Sequence, residues 1–433
     1  MRILIDNGSY HLRNCGDVAL LQAAVSRVAD LWPGALIEVI TGDPDRLQEH
    51  CPGVRPLLSR GKTLWYRERT VFGPVHRFVP RPVAQHLAHV EGALRYRWPS
   101  LAHSLISTGL RREGIDTAAL NAYRDALRGA DLVIACGGGY ITDAFKVHAI
   151  RLLDTLGMAA RLGTPTALFG QGIGPVWDGS LRKKLAAVLP SAALIGLREN
   201  RFGRPLIAAL GVSPDRIAIT GDDAVETAYN ARSAVLGTGI GVNVRVAPYS
   251  GVRDETVDRI KRAVQETARK HDAPLVPVPI SLHEKESDAR TIRSILSGYG
   301  EVSDGGEQLD TPIKVMRQIG QCRVVVTGSY HGAVFALSQG VPAIGLAHSP
   351  YYVHKFLGLA DQFDGCCSVV LLHREQFDDK LSLALDDALR SAERIRPRLL
   401  AAAERQCASA RAAYRRICDV VEARRTRGRY REA

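Results

Sequence analysis

The chain lacks any apolar run of the ~18–20 residues that a membrane-spanning helix requires. Its opening, Met1-Arg2-Ile3-Leu4-Ile5-Asp6, reads as a first strand and leads into no hydrophobic signal core. The eight cysteines form no CxxC pair, and only Cys366 and Cys367 are adjacent. Reduced thiols in the cytoplasm fit this pattern better than a disulfide framework or a zinc site. HExxH is missing as well. The one approach to a DxD-like run at a strand end is Gly221-Asp222-Asp223, for which turn or cap duty is the expectation. No metal and no obligatory cofactor are therefore predicted, and no short internal repeat is present.

What the chain does have is length and positive charge. At 433 residues it exceeds the size of a usual single core, so two domains are expected. The net charge of +12 is concentrated. Ten Lys/Arg fall between Arg60 and Arg112 against Glu68 and Glu91, and Arg424-Arg425-Thr426-Arg427-Gly428-Arg429-Tyr430-Arg431 forms a second cluster. Such patches attract phosphates, nucleic acid or anionic membrane surfaces, unless they are merely a solvated face and a frayed end.

Read in order, Arg2 to Asp6, a helix entered through Asn14-Cys15-Gly16-Asp17, and Ala35 to Thr41 make a βαβ opening. Ligands in such sheets sit beyond the C-terminal strand ends, so Asn14, Gly16 and Asp17 border the expected cleft, although Asp17 could simply cap the helix. About 57–112 breaks the rhythm. It carries Trp65, Tyr66, Phe72, His76, Phe78, Tyr96 and Trp98 among arginines and prolines, with a helix expected only at Val83 to Leu94. This insertion suggests either a lid or dimer contact or a surface for a lipid-linked or anionic acceptor.

The βα rhythm then resumes. A strand from Asp131 to Ala135 meets the Gly137-Gly138-Gly139 turn, and Pro165 to Phe169 meets Gly170-Gln171-Gly172-Ile173-Gly174-Pro175. The second segment has GxGxG spacing, a poor match to the dinucleotide fingerprint. Ala193 to Leu197 ends at Arg198. After a linker at 230–237, Gly239 to Val244 ends at Arg245, and Pro274 to Ile280 ends near His283. Two helices, broken at Pro397, are expected to close the chain.

The central stretch is Val324-Val325-Val326-Thr327-Gly328-Ser329-Tyr330-His331-Gly332. It is a buried strand, a turn and a helix start, which places an imidazole beside free backbone N–H groups that bind anions readily. Acid/base chemistry on a phosphorylated substrate follows, with histidine suited to proton transfer near neutral pH.

Together, Asn14-Cys15-Gly16-Asp17, Gly137-Gly138-Gly139, Gly170-Gln171-Gly172, Leu197-Arg198-Glu199-Asn200, Gly241-Val242-Asn243-Val244-Arg245, Ser329-Tyr330-His331-Gly332 and Gly340-Val341-Pro342 resemble the polysaccharide pyruvyl transferase family. The resemblance runs from Met1 to about Phe363, outside the insertion. It implies an α/β protein with two doubly wound Rossmann-like domains facing a GT-B-like cleft. The expected division is 1–229 on the acceptor side, 238–373 on the donor side and 374–433 as terminal helices with a basic tail. It also implies transfer of pyruvate from phosphoenolpyruvate, as co-substrate, to sugar hydroxyls of a cell-surface polysaccharide or a lipid-linked precursor.

On that basis His331 is the principal acid/base candidate, with Asp17 as a second catalytic group. Substrate contacts are expected from Arg245, Arg198, Ser329, Gly332, Lys355, Asn14, Gly16, Gly138, Gly139, Gln171, Asn243 and His283, the last also a candidate for proton transfer. Arginine often stands in the family where this chain has Ser329, so either other cations hold the donor's anions or the donor site has changed. The alternatives are a GT-B glycosyltransferase using a nucleotide sugar, and a non-enzymatic protein that binds RNA or anionic membranes through the basic segments. No specific nucleic-acid partner is predicted, peripheral contact with the inner membrane face is one suggested by charge, and the sequence leaves the oligomeric state open.

Overall fold

The computed structural model of the chain describes every residue except 68–70, 72–78, 301 and 433, and only the backbone of 81, 84, 85, 88, 89, 285 and 427–432. Phe72, His76 and Phe78, and the side chains of the tail arginines at 427, 429 and 431, thus lie outside the described residues.

Two parallel sheets organise the molecule. The first contains β1 (Arg2–Asp6), β2 (Leu36–Thr41), β3 (Arg55–Leu58), β4 (Leu132–Ala135), β5 (Gly138–Ile141), β6 (Thr166–Ile173), β7 (Leu194–Leu197) and β8 (Ile217–Ile219). Its order is β3-β2-β1-β4-β6-β7-β8, with β5 paired to β6. The second contains β9 (Gly239–Asn243), β10 (Leu275–Pro277), β11 (Cys322–Thr327), β12 (Ala343–Ala347) and β13 (Cys367–Leu371), in the order β10-β9-β11-β12-β13. Helices cover the faces, so central strands such as β4 and β12 are buried along their whole length and read as apolar runs. In each sheet the order reverses beside a central strand, β1 in one and β9 in the other, which opens a crevice at the C-terminal strand ends. One contiguous core runs from Ile3 and Leu20 to Val325 and Phe335, joining the two sheets.

Three local expectations are corrected. The glycine run does not stay a turn: Gly138 starts β5, and β6 continues past Phe169 to Ile173, so Gln171 and Gly172 lie in a buried strand. In the insertion, β3 adds an edge strand, and helices span Ser59–Trp65, Arg81–Arg97 and Pro99–Arg112. Pro99 occupies the first turn of the last of these, where its missing N–H costs nothing. Finally, Pro397 does not break the terminal helix, which runs unbroken as Phe377–Glu432. Packing on both sides of the proline outweighs the lost hydrogen bond, since Leu389, Leu399 and Ala402 are all buried. The helix reaches back to the first sheet, where Tyr414 stacks on Phe169 with ring centroids 3.7 Å apart. Among the described residues, no helix is long and apolar enough to cross a membrane.

Candidate active site

The loop entering the Cys15–Leu31 helix is stitched to the loop leaving β10. Cys15 N–H donates to the Ile280 carbonyl and Leu282 N–H to the Arg13 carbonyl, each at 2.8 Å, while Asn14 and Ser281 form a bridge. Asn14, Gly16 and Asp17, expected on the acceptor half alone, therefore sit at the seam between the sheets. A cavity of about 720 Å³ opens there, lined by Asn14, Asp17, Gly139, Arg245, His283, Ser329, His331 and Lys355.

The helix start explains the freedom of Asp17. Asn14 Oδ1 caps the helix by accepting from the N–H groups of Gly16 (2.9 Å) and Asp17 (3.2 Å). The Asp17 carboxylate is released from that task and has no hydrogen bond or ion pair among the described residues. Burial pushes its pKa up to about 6, against the pull of Lys355, Arg245 and Arg198.

His331 begins the Tyr330–Ser338 helix with its ring pressed against Gly16. Its Nε2 lies 3.7 Å from Asp222 Oδ2, and neither atom has a hydrogen-bond partner among the described residues. Burial, reinforced by Arg198 and Lys355, holds the imidazole pKa well below its ordinary value, so the ring is neutral at neutral pH. Burial lifts Asp222 to about 6. Its neighbour Asp223 serves a separate purpose, accepting from Arg27 at 2.6 Å and from Tyr414 at 3.1 Å. The two aspartates thus do not form one cation site.

Arg198 and Lys355 converge on Gly139. A Cβ at that glycine would lie 2.6 Å from Arg198 Nη2 and 2.9 Å from Lys355 Nζ, so a side chain there would push the tips of both cations aside. The Arg198 guanidinium stacks 4.0 Å from the Tyr330 ring centroid, and its nearest carboxylate oxygen is Asp222 Oδ2 at 3.9 Å. Lys355 Nζ lies 4.0 Å from the Tyr351 ring centroid and 5.7 Å from those of Tyr330 and Tyr352, with no carboxylate in ion-pair range among the described residues. Burial, and then Arg198, lowers the Lys355 pKa well below that of a free lysine.

Arg245 stands at the expected strand end but is already neutralised. Its Nη1 donates to the Glu286 carbonyl (2.8 Å) and Asp288 Oδ1 (3.2 Å), and its Nη2 to Tyr249 Oη and Glu286 Oε2 (both 2.8 Å). Other expected ligand contacts turn out to be internal braces. Gln171 Nε2 donates to the Cys136 carbonyl at 2.6 Å and to Tyr140 Oη at 3.0 Å. Asn243 Nδ2 donates to Asp288 Oδ2 at 2.8 Å. Gly332 packs on the Thr327 hydroxyl and Gly138 on the Tyr140 ring, so neither lines the cavity. The Ser329 hydroxyl and the half-buried His283 do face it. Burial, together with Arg245, lowers the His283 pKa.

Sequence reasoning singled out Asp222 only as a turn or cap residue or part of a cation pair, not as a neighbour of His331, and it missed the aromatic wall of Phe145, Tyr249, Tyr351 and Tyr352. For the last two a signal existed: Tyr351 and Tyr352 precede Lys355 by four and three residues, the spacing that shares a helix face.

The sequence profile described as polysaccharide pyruvyl transferase matches residues 14–350. No curated protein matches the chain. The fold is similar to the UDP-GlcNAc 2-epimerase of Methanocaldococcus jannaschii, with a TM-score of 0.52 at 11% identity, covering 90% of this chain and 93% of that one. It is likewise similar to the MnaA–UDP complex of S. aureus, with a TM-score of 0.51 at 12% identity and 94% of each chain covered. A third similar structure is the Neisseria meningitidis UDP-GlcNAc 2-epimerase bound to UDP-GlcNAc, with a TM-score of 0.50 at 11% identity, covering 92% of this chain and 94% of that one. At these identities the likeness is one of fold, the GT-B-like pairing of two sheets.

Proposed function

The chain belongs to the polysaccharide pyruvyl transferase family, and from that premise we infer that this transferase moves pyruvate from phosphoenolpyruvate to sugar hydroxyls, leaving a pyruvate ketal. The observation that carries the donor is the convergence of Arg198 and Lys355 on Gly139, where Lys355 has no ion pair among the described residues and the carboxylate nearest Arg198, that of Asp222, stands 3.9 Å away. A charged lysine beside a guanidinium in so dry a site is favoured only when an anion binds with them, and otherwise burial and Arg198 favour the neutral amine. Phosphoenolpyruvate, with a phosphate and a carboxylate, supplies that charge. In this role the pair replaces the arginine that the family often carries where this chain has Ser329, while Arg245 braces the wall.

In the first step, neutral His331 takes the proton of the attacking sugar hydroxyl, and Asp222 stabilises the imidazolium that forms. Asp17, with its pKa near 6, delivers a proton to the methylene carbon of the enol. The hydroxyl oxygen bonds to the central carbon. Phosphate then leaves with its C–O bond electrons and takes the proton held by His331, as a second hydroxyl of the same sugar closes the ketal and returns its proton to the Asp17 carboxylate. The aromatic wall of Tyr249 and Tyr351 suits a sugar ring. The cytoplasm is the proposed location.

Incubation with phosphoenolpyruvate and a panel of diol-bearing glycans should release phosphate only when an acceptor is present. The same experiment with nucleotide sugars tests the glycosyltransferase reading, which draws support from the UDP and UDP-GlcNAc of the similar structures. Turnover of a nucleotide sugar with no phosphate release from any diol would overturn the pyruvyl reading.

A further inference from the structure

Another cavity, of about 340 Å³, lies between the insertion and the Ala118–Gly129 and Lys146–Arg161 helices. It sits at the C-terminal end of the Lys146–Arg161 helix, whose first turn borders the catalytic cleft through His148. At the helical rise, the step from His148 to Met158 and Arg161 separates the two by roughly 15–20 Å. The walls are apolar and aromatic, with Trp65, Tyr96, Tyr123, Leu127 and Met158 among them. Trp65 is buried, and its indole N–H has no acceptor among the described residues.

The charged residues that line this cavity, among the described residues, are Arg97, Arg124, Arg128 and Arg161, with no carboxylate among them. Arg161 lies 3.7 Å from the Tyr96 ring centroid and Arg97 lies 5.4 Å from that of Trp98, so aromatic faces hold both guanidinium groups. Arg124 pairs with Asp125 at 2.8 Å, whereas Arg128 has no ion pair among the described residues. Beside the cavity, Trp98 (55% exposed), Leu101 (52%) and Leu105 (40%) form an apolar row at helical spacing along the Pro99–Arg112 helix. Arg111 and Arg112 follow at its end.

An apolar pocket, an arginine rim and an exposed Trp/Leu row describe one kind of ligand: a phosphate attached to a hydrocarbon chain. We propose that this cavity binds an anionic lipid at a bilayer surface, with the chain among the aromatic rings, the phosphate on the arginines, and Trp98, Leu101 and Leu105 in the interface. Its volume lies within the ~300–1,000 Å³ range of small-molecule sites. The proposal does not depend on the donor, since lipid capture needs no pyruvyl transfer.

The full-length protein should co-sediment with phosphatidylcholine vesicles that contain phosphatidylglycerol and not with phosphatidylcholine alone. Arg97→Glu combined with Arg128→Glu should weaken this about tenfold or more, given ~1 kcal/mol for each basic residue near an anionic surface. Leu101→Gln with Leu105→Gln should weaken it at unchanged charge, and thermal melts would show that both variants remain folded. Decyl phosphate should compete for the site where inorganic phosphate at equal concentration does not, which separates a lipid from a free anion. Wild-type affinity in both double variants would overturn the proposal. So would Leu101→Gln/Leu105→Gln converting a dimer to a monomer with vesicle binding intact, because the row would then join two copies. Phosphate release on a soluble acceptor should be unchanged in either variant, so loss of lipid binding and failure of the donor reading are told apart.

Discussion

Gly16 and His331 touch across the seam of the two sheets: a Cβ added to Gly16 would overlap Nδ1 and Cγ of the imidazole. The start of the first helix therefore fixes the ring that the second sheet presents. Gly16→Ala should leave the fold intact, because Gly16 has no need of positive φ, yet it must push His331 away from Asp222. Transfer should fall about 100-fold, as it should for His331→Ala, the scale of a lost general base. The double variant should be no worse than either single one, since both remove one function. Additive losses in steady-state rates would show that Gly16 acts elsewhere.

Asp222 stands behind His331 and is not among the residues that line the cavity, so its proposed role is that of a positioning residue. Its Oδ2, 3.7 Å from Nε2, stabilises the imidazolium that develops as the hydroxyl proton is taken. Asp222→Asn should therefore lower kcat by roughly 100-fold while KM for phosphoenolpyruvate stays near wild type. Because burial holds Asp222 near 6, the acid limb of the wild-type pH–rate profile should change shape in the variant. A rise in KM with kcat preserved would place Asp222 in the donor site instead.

Lys355 supplies a proton-linked test of the donor site. Burial and Arg198 favour its neutral amine in the empty cleft, and a bound phosphate and carboxylate reverse that preference. Binding of phosphoenolpyruvate at pH 8 should take up protons. Titration calorimetry in Tris and in HEPES would read this as a buffer-dependent enthalpy, which Lys355→Met should remove. Identical enthalpies in both buffers would mean that the lysine is already charged. Arg198→Met should raise KM for phosphoenolpyruvate about ten- to hundredfold, the worth of one charged hydrogen bond in a dry site.

The parallel strands were legible because strands buried on both faces are written as apolar runs, Val324-Val325-Val326 above all. The strand-end positions of Arg198, Arg245 and His331 followed from the same pattern. Partners were not legible, because they arrive from elsewhere in the chain. Glu286 and Asp288 neutralise Arg245 from the loop after β10, and Asp222 reaches His331 from the other sheet. Gln171 was misread because nothing in a glycine-rich segment says where a strand stops. Pro397 was misread because local preference yields to packing over a long helix.

Asp17 should trade stability for activity in a pH-dependent way. Burial is the main cause of its rise from the usual carboxylate range to about 6, so the folded chain holds this proton more tightly than the unfolded chain does. Between about pH 4 and pH 6 the native state binds more protons, and stability falls as pH rises. The loss is complete above pH 6 and absent below the unfolded pKa. Asp17→Asn removes the buried charge, so the variant should melt higher than wild type at pH 8 and at the same temperature near pH 4. The gain should be at most about 3 kcal/mol, since each pKa unit is worth ~1.36 kcal/mol and the group is partly open to the cavity. The same variant should lose about 100-fold or more in transfer, because an amide cannot carry the proton to the enol carbon. A difference in melting temperature that is equal at both pH values would assign the effect to packing and remove Asp17 as the titrating group.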